Sequence, residues 1–224
     1  MKITPIVAML PVVAVLAASP IQAGWKGGNP VAGGQAVLPV ITPLSDIEAA
    51  TLVFMREEEK LARDVYLTLF DIWENPVFNN ISAAEQRHMD NMKRLLDTYG
   101  LVDPVADDSV GAFTNTGLAD LYQDLTEKGA VSLEDALYAG ALVEELDITD
   151  LKRAIAESTH ADVTKAYENL MRGSRNHLRA FVSQIESLGV VYEAQVMSQE
   201  EVDEIINSAV ERGGKGRGKR RGGR

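Results

Sequence analysis

Between Pro43 and Arg212 the apolar residues recur at intervals of three and four, and no stretch alternates apolar with polar, so the pattern predicts helix throughout. Ser45 stands as the N-cap of a first helix that ends near Glu74, before Asn75-Pro76. A second helix, capped by Ser82, closes at Gly100 with Pro104 beyond it. Residues 103–131 are too long for a tight turn and carry one short amphipathic stretch around 118–128, which reads as a crossover. Ser132 caps a third long helix reaching about 157, and STHAD links it to a fourth over 162–188, stopped by Gly189. Ser198 and Glu201 make a capping box for a short fifth helix. Two hairpins of long helices joined by one long connection predict an all-α four-helix bundle with a crossover between its second and third helices.

The ends of the chain have a different composition. Residues 1–23 read as a secretory signal, with Lys2, an apolar run from Ile6 to Ala18 and a small residue at Ala23. The run is short for a membrane span and Pro11 interrupts it, so export to the periplasm or outside the cell is expected. Residues 24–44 form a Gly/Pro-rich lead-in to a domain over 45–211. The last segment, 212–224, holds seven Lys and Arg residues among glycines and is expected to be disordered. Setting those seven and Lys2 aside leaves 14 basic residues against 33 acidic ones. An acidic body of that kind excludes a groove-reading nucleic-acid domain. The tail suits either attachment to an anionic surface or polymer, or plain solvation. A homodimer is compatible with the pattern.

The chain has no cysteine, which excludes disulfides, zinc-thiolate sites, iron-sulfur clusters and a cysteine nucleophile. Any metal must therefore sit on Glu, Asp or His. In the first helix, Glu59 falls within the apolar stripe of Leu52, Met55, Ala62, Tyr66, Leu69 and Trp73, where a carboxylate needs a partner. Against this, Glu57, Glu58 and Glu59 also read as a solvated run pairing with Lys60 and Arg63. In the second, Glu85 and His88 lie at i and i+3 on one face, although Ser82 and Glu85 equally make a capping box. Glu144 interrupts the stripe of the third helix, with Glu145 one step round and Asp147 a turn on. In the fourth, His177 shares a face with Leu170 and Ser174, and Gly173 permits close helix contact. Alone, His177 reads as a core histidine. Glu144 and His177 come level naturally, about 20 and 22 Å from their shared turn. Glu59 and Glu85 meet only if NPVFNNI runs back along the bundle.

These residues resemble the ferritin-like superfamily. Glu59-Lys-Leu-Ala62-Arg-Asp-Val-Tyr66 is similar to the first-helix E-x-x-A-x-x-x-Y of bacterioferritin and rubrerythrin, Glu85-Gln-Arg-His88 to their second-helix E-x-x-H, and Glu144-Glu145-Leu-Asp147 to their third-helix carboxylate segment. A closer resemblance, over about 46–188, is to a bacterial and archaeal ferritin-like family of unknown function. The chain departs from the superfamily pattern at Ser174-Arg-Asn-His177, where a carboxylate is absent. The resemblance implies a metal centre on Glu59, Glu85, His88, Glu144 or Glu145, and His177, with Tyr66 as a nearby donor or redox-active phenol. It implies iron first, di-iron or mononuclear, then manganese, copper or zinc, and an oxidoreductase acting on oxygen or peroxide. The alternative is a non-catalytic helical module, metal-free or structurally metallated, that binds a partner or an anionic surface.

Overall fold

The computed structural model describes residues 42–212, and among them it is all-α, with no strand. The expected signal segment, most of the lead-in and all but the first residue of the basic tail lie outside the described residues. In chain order the helices are α1 (Asp46–Trp73), α2 (Pro76–Tyr99), α3 (Thr116–Gly129), α4 (Leu133–Glu157), α5 (Ala161–Ser187) and α6 (Gln199–Asn207). No helix among the described residues is long and apolar enough to cross a membrane. The chain pairs α1 with α2 and α4 with α5; α1 also packs on α4, and α2 on α5. The apolar core between them includes Leu52, Met55, Leu69, Met92, Leu151 and Leu178, all essentially without solvent exposure.

Most helix starts follow the local capping chemistry. Ser45 with Glu48 and Ser198 with Glu201 form complete capping boxes, and the Ser132 hydroxyl accepts from the Asp135 amide. The second helix differs from expectation. Its N-cap is Asn75, whose side chain accepts from the Val77 amide, and Pro76 takes the first helical position, where a missing N–H costs nothing. Ser82 lies inside the helix and donates to the Asn79 carbonyl, so no capping box engages Glu85. NPVFNNI thus returns along α1 as helix, and Glu85 stands about 14 Å down α2 with its carboxylate free to face the core.

The polar run of α1 is also not solvated. Every residue from Met55 to Tyr66 is buried, and the crossover folds over one face of α1, where it gives partners to Arg56, Glu57, Lys60, Arg63 and Asp64. Arg56 makes a double contact with Asp103 at 3.1 and 3.3 Å. Glu57 accepts from the amides of Thr114 (2.5 Å) and Asn115 (3.1 Å), which places a negative charge at the start of α3. Lys60 is fully buried, donates to Asp64 and to the Ser109 carbonyl (2.8 Å), and sits 4.5 Å from the centre of the Phe113 ring.

Candidate metal centre

With the crossover taking Glu57 and Lys60, Glu59 faces the opposite way, toward α2. Its Oε2 lies 3.1 Å from His88 Nδ1, and that same nitrogen is 2.7 Å from Glu85 Oε2. The second Glu85 oxygen, Oε1, is 2.7 Å from His177 Nδ1, which is 3.5 Å from Glu144 Oε1. Two trios result: Glu59, Glu85 and His88, and Glu85, Glu144 and His177. Within each, one donor atom per residue lies within 4.8 Å of the other two. Glu85 belongs to both, one oxygen toward each imidazole, and the two rings stand 5.7 Å apart between centres. All three carboxylates are buried.

The electrostatics of the cluster follow from burial and from this pairing. Burial pushes the Glu59 carboxyl up to about 7, partly opposed by His88. Burial likewise raises Glu144, against the pull of His177. Glu85 is buried too, but His177 and His88 on either side outweigh that cost and hold its carboxyl well below the usual range. The imidazoles show the converse. Burial opposes their protonation, yet Glu85 and Glu59 raise His88 well above its ordinary value, and Glu85 and Glu144 raise His177 to about 10. Each imidazole thus lies between two carboxylates, His88 between Glu59 and Glu85 and His177 between Glu85 and Glu144.

Glu59 Oε1 is buried and completes no hydrogen bond, and Glu85 Oε1 has the His177 imidazole beside it at 2.7 Å. An unpaired buried carboxylate oxygen is costly, and the carboxylate oxygens and imidazole nitrogens gathered here match the donor set of a hard or borderline divalent cation. Tyr66 is fully buried on α1 and its hydroxyl donates to Glu144 Oε1 at 2.5 Å. Its ring packs on Phe181 (5.1 Å between centres), which in turn meets Phe78 (5.6 Å), so an aromatic wall adjoins the Glu144 side of the cluster.

Glu145, expected as an alternative to Glu144, belongs elsewhere. One residue further round α4, it accepts from the Tyr192 hydroxyl (2.6 Å) and from the amides of Gln195 (3.0 Å), Val196 (2.6 Å) and Met197 (2.8 Å). Its acceptor capacity is taken up in pinning the segment before α6, so it is corrected from candidate ligand to structural anchor. Asp147, the last residue of the segment that resembles the third-helix carboxylates, is buried beside the cluster, and the Ser174 hydroxyl donates to its Oδ2.

The chain has relatives of closely similar sequence and fold. "Uncharacterized protein MJ0754" of Methanocaldococcus jannaschii is 51% identical over 171 residues, spanning 76% of this chain and 92% of that protein. The crystal structure of hypothetical protein MJ0754 from Methanococcus jannaschii superposes with a TM-score of 0.75 at 49% identity, covering 79% of this chain and all of the other. The family described as "Uncharacterized protein domain (DUF2202)" matches residues 48–209, a span that holds both trios, and the chain belongs to that family.

Proposed function

We propose that this protein is a ferritin-like metal-dependent oxidoreductase whose centre lies between α1, α2, α4 and α5 and takes two iron or manganese ions. The observation that carries this reading is the sharing of Glu85 by two trios, each with its own carboxylate and its own imidazole. Glu59 and His88 would complete one position, and Glu144 and His177 the other. When bound, two such ions would supply the two electrons that, with two protons, reduce hydrogen peroxide to two waters, an external one-electron reductant restoring them. Tyr66 donates to Glu144 Oε1, the oxygen that also faces His177, and so orients that carboxylate. The aromatic wall of Tyr66, Phe78 and Phe181 excludes water from one side, and this strengthens every charge interaction inside. His88 and His177 must give up their protons to act as ligands, so loading is coupled to proton release.

Metal analysis of protein purified without chelator tests the reading. Two ions per chain are expected, with one lost from Glu59→Ala or His88→Ala while the helical circular-dichroism spectrum is retained. Protein that binds no added iron, manganese, copper or zinc, and whose melting temperature none of them changes, would overturn it.

A further inference from the structure

Asp147 is a buried carboxylate that the two trios do not use. It lies three residues beyond Glu144 on α4, so the two side chains share one helix face. Its Oδ2 is held by the hydroxyl of Ser174, itself three residues before His177 on α5, while its Oδ1 is buried and completes no hydrogen bond. The residue is only 6% exposed, and burial together with the charges of Glu59 and Glu144 opposes its ionisation. A buried acid with an orphaned oxygen, set among other buried carboxylates, is a cost that the fold alone does not explain.

Counting charge and donors supplies the explanation. Glu59, Glu85 and Glu144 carry three negative charges, whereas two divalent cations bring four positive ones and the imidazoles bind as neutral ligands. One buried positive charge is left over, and each trio offers its cation three donor residues, fewer than the about four to six that such ions take. One further carboxylate in the same space makes the loaded centre neutral and adds a donor. Asp147 stands outside both trios as they are arranged here, one turn beyond Glu144 on the same face of α4, and is the candidate for that group. Glu58, also a buried acid with an orphaned oxygen, has Asp150, Asp147 and Glu59 as its charged neighbours and so meets one trio, whereas Asp147 neighbours Glu59, Glu144 and Glu85, members of both. Resting on the metal-centre reading above, we infer that Asp147 is the fourth carboxylate of the centre, held in readiness by Ser174 and recruited through its free Oδ1 when both cations bind.

Manganese(II) titration, with bound and free ion separated by electron paramagnetic resonance, tests this on the full chain. Wild-type protein is expected to take two ions. Asp147→Asn should bind the second at least about tenfold more weakly, and Asp147→Glu, which keeps the charge, should recover most of that loss. The melting temperature of metal-stripped Asp147→Asn should not fall below wild type, because the change removes a buried acid; a purely structural Asp147 would lower it. Two ions bound by Asp147→Asn with wild-type affinity would overturn the inference while leaving the metal centre intact. A wild type that binds no cation of any kind would instead overturn the reading beneath it. A crystal structure of manganese-loaded wild type decides the matter without variants: Asp147 bonded to an ion supports the assignment, and Asp147 still on Ser174 with both ions present refutes it.

Discussion

Glu85 Oε1 and His177 Nδ1 lie 2.7 Å apart as an ion pair. Each group helps hold the other in its charged form, the carboxyl lowered and the imidazole raised. The other oxygen of the same carboxylate meets His88 Nδ1, also at 2.7 Å. Glu85 is thus the residue through which the two halves of the centre are coupled.

Substitution of Glu85 should therefore differ in kind from substitution of its neighbours. Glu59→Ala or Glu144→Ala removes a ligand from one trio and should leave one ion bound per chain. Glu85→Ala removes a ligand from both and should leave none. In metal-stripped protein Glu85→Ala also abandons two buried imidazoles, and breaking a buried pair of this type costs about 3–5 kcal/mol. Metal analysis and denaturant unfolding read the two effects separately; two ions retained by Glu85→Ala would refute the shared role.

The pH dependence of the metal-stripped protein has a definite sign. His177 titrates at about 10 in the fold, above its unfolded value, so the stability it confers is complete below the unfolded value and is lost as pH rises through about 10. Glu59 titrates at about 7 in the fold, above its ordinary 4.5, so its contribution also declines with rising pH, between those two values. The stripped protein should melt highest at mildly acidic pH. Cation binding has the opposite sign, since each imidazole must lose a proton: affinity should rise with pH, and calorimetry in buffers of different ionisation enthalpy should show protons released at pH 7. Binding without proton release would contradict the assignment of His88 and His177.

Much of this architecture was legible in the sequence because it rests on local rules. Ser45, Ser132 and Ser198 cap the helices they were expected to cap, since an N-cap needs only its own side chain and an amide two or three residues on. Ser82 misled because the same local signal competes with Asn75-Pro76, and packing of the first turns of α2 settled the contest. The acids of α1 were ambiguous for a different reason. Whether Glu57 is solvated depends on Thr114 and Asn115, more than fifty residues away, and a single helix has no record of what will cover it. Choosing between Glu144 and Glu145 required the same non-local knowledge, because the partners of Glu145 lie at 192–197 in a segment with no periodic pattern. The pairing of Asp147 with Ser174 left only a weak trace, a small polar residue one turn before His177.

Glu145→Gln tests the division of labour on α4. The substitution keeps the side chain's shape but weakens acceptance from three backbone amides and a tyrosine hydroxyl. Hydrogen bonds to a charged group contribute about 1.5–3 kcal/mol each, so a loss of about 3 kcal/mol in stability is expected even if most contacts survive in weakened form. Amides 195–197 should exchange faster with solvent, and α6 should loosen with them. Metal stoichiometry should remain that of wild type. A loss of bound ion from Glu145→Gln comparable to that from Glu144→Gln would return Glu145 to the ligand set.

Gly173 offers the most selective way to damage one half of the centre. A methyl group at this position would stand 2.5 Å from His88 Cε1 and 2.8 Å from His88 Nε2, but 3.7 Å from His177 Cε1. The last distance is ordinary contact; the first two require the His88 ring to move by about 1 Å, and metal ligation tolerates only about 0.2–0.5 Å. The ring has room to move because His88 is partly exposed, so Gly173→Ala should fold, with a change in stability of about 1 kcal/mol or less once its better helix propensity is included. Its metal content should drop from two ions to one, the Glu85, Glu144 and His177 position being kept. In a His88→Ala background the same substitution should have no further effect, because the group it displaces is gone. Two ions bound by Gly173→Ala at wild-type affinity, or equal damage with and without His88, would show that the glycine does not act through that ring.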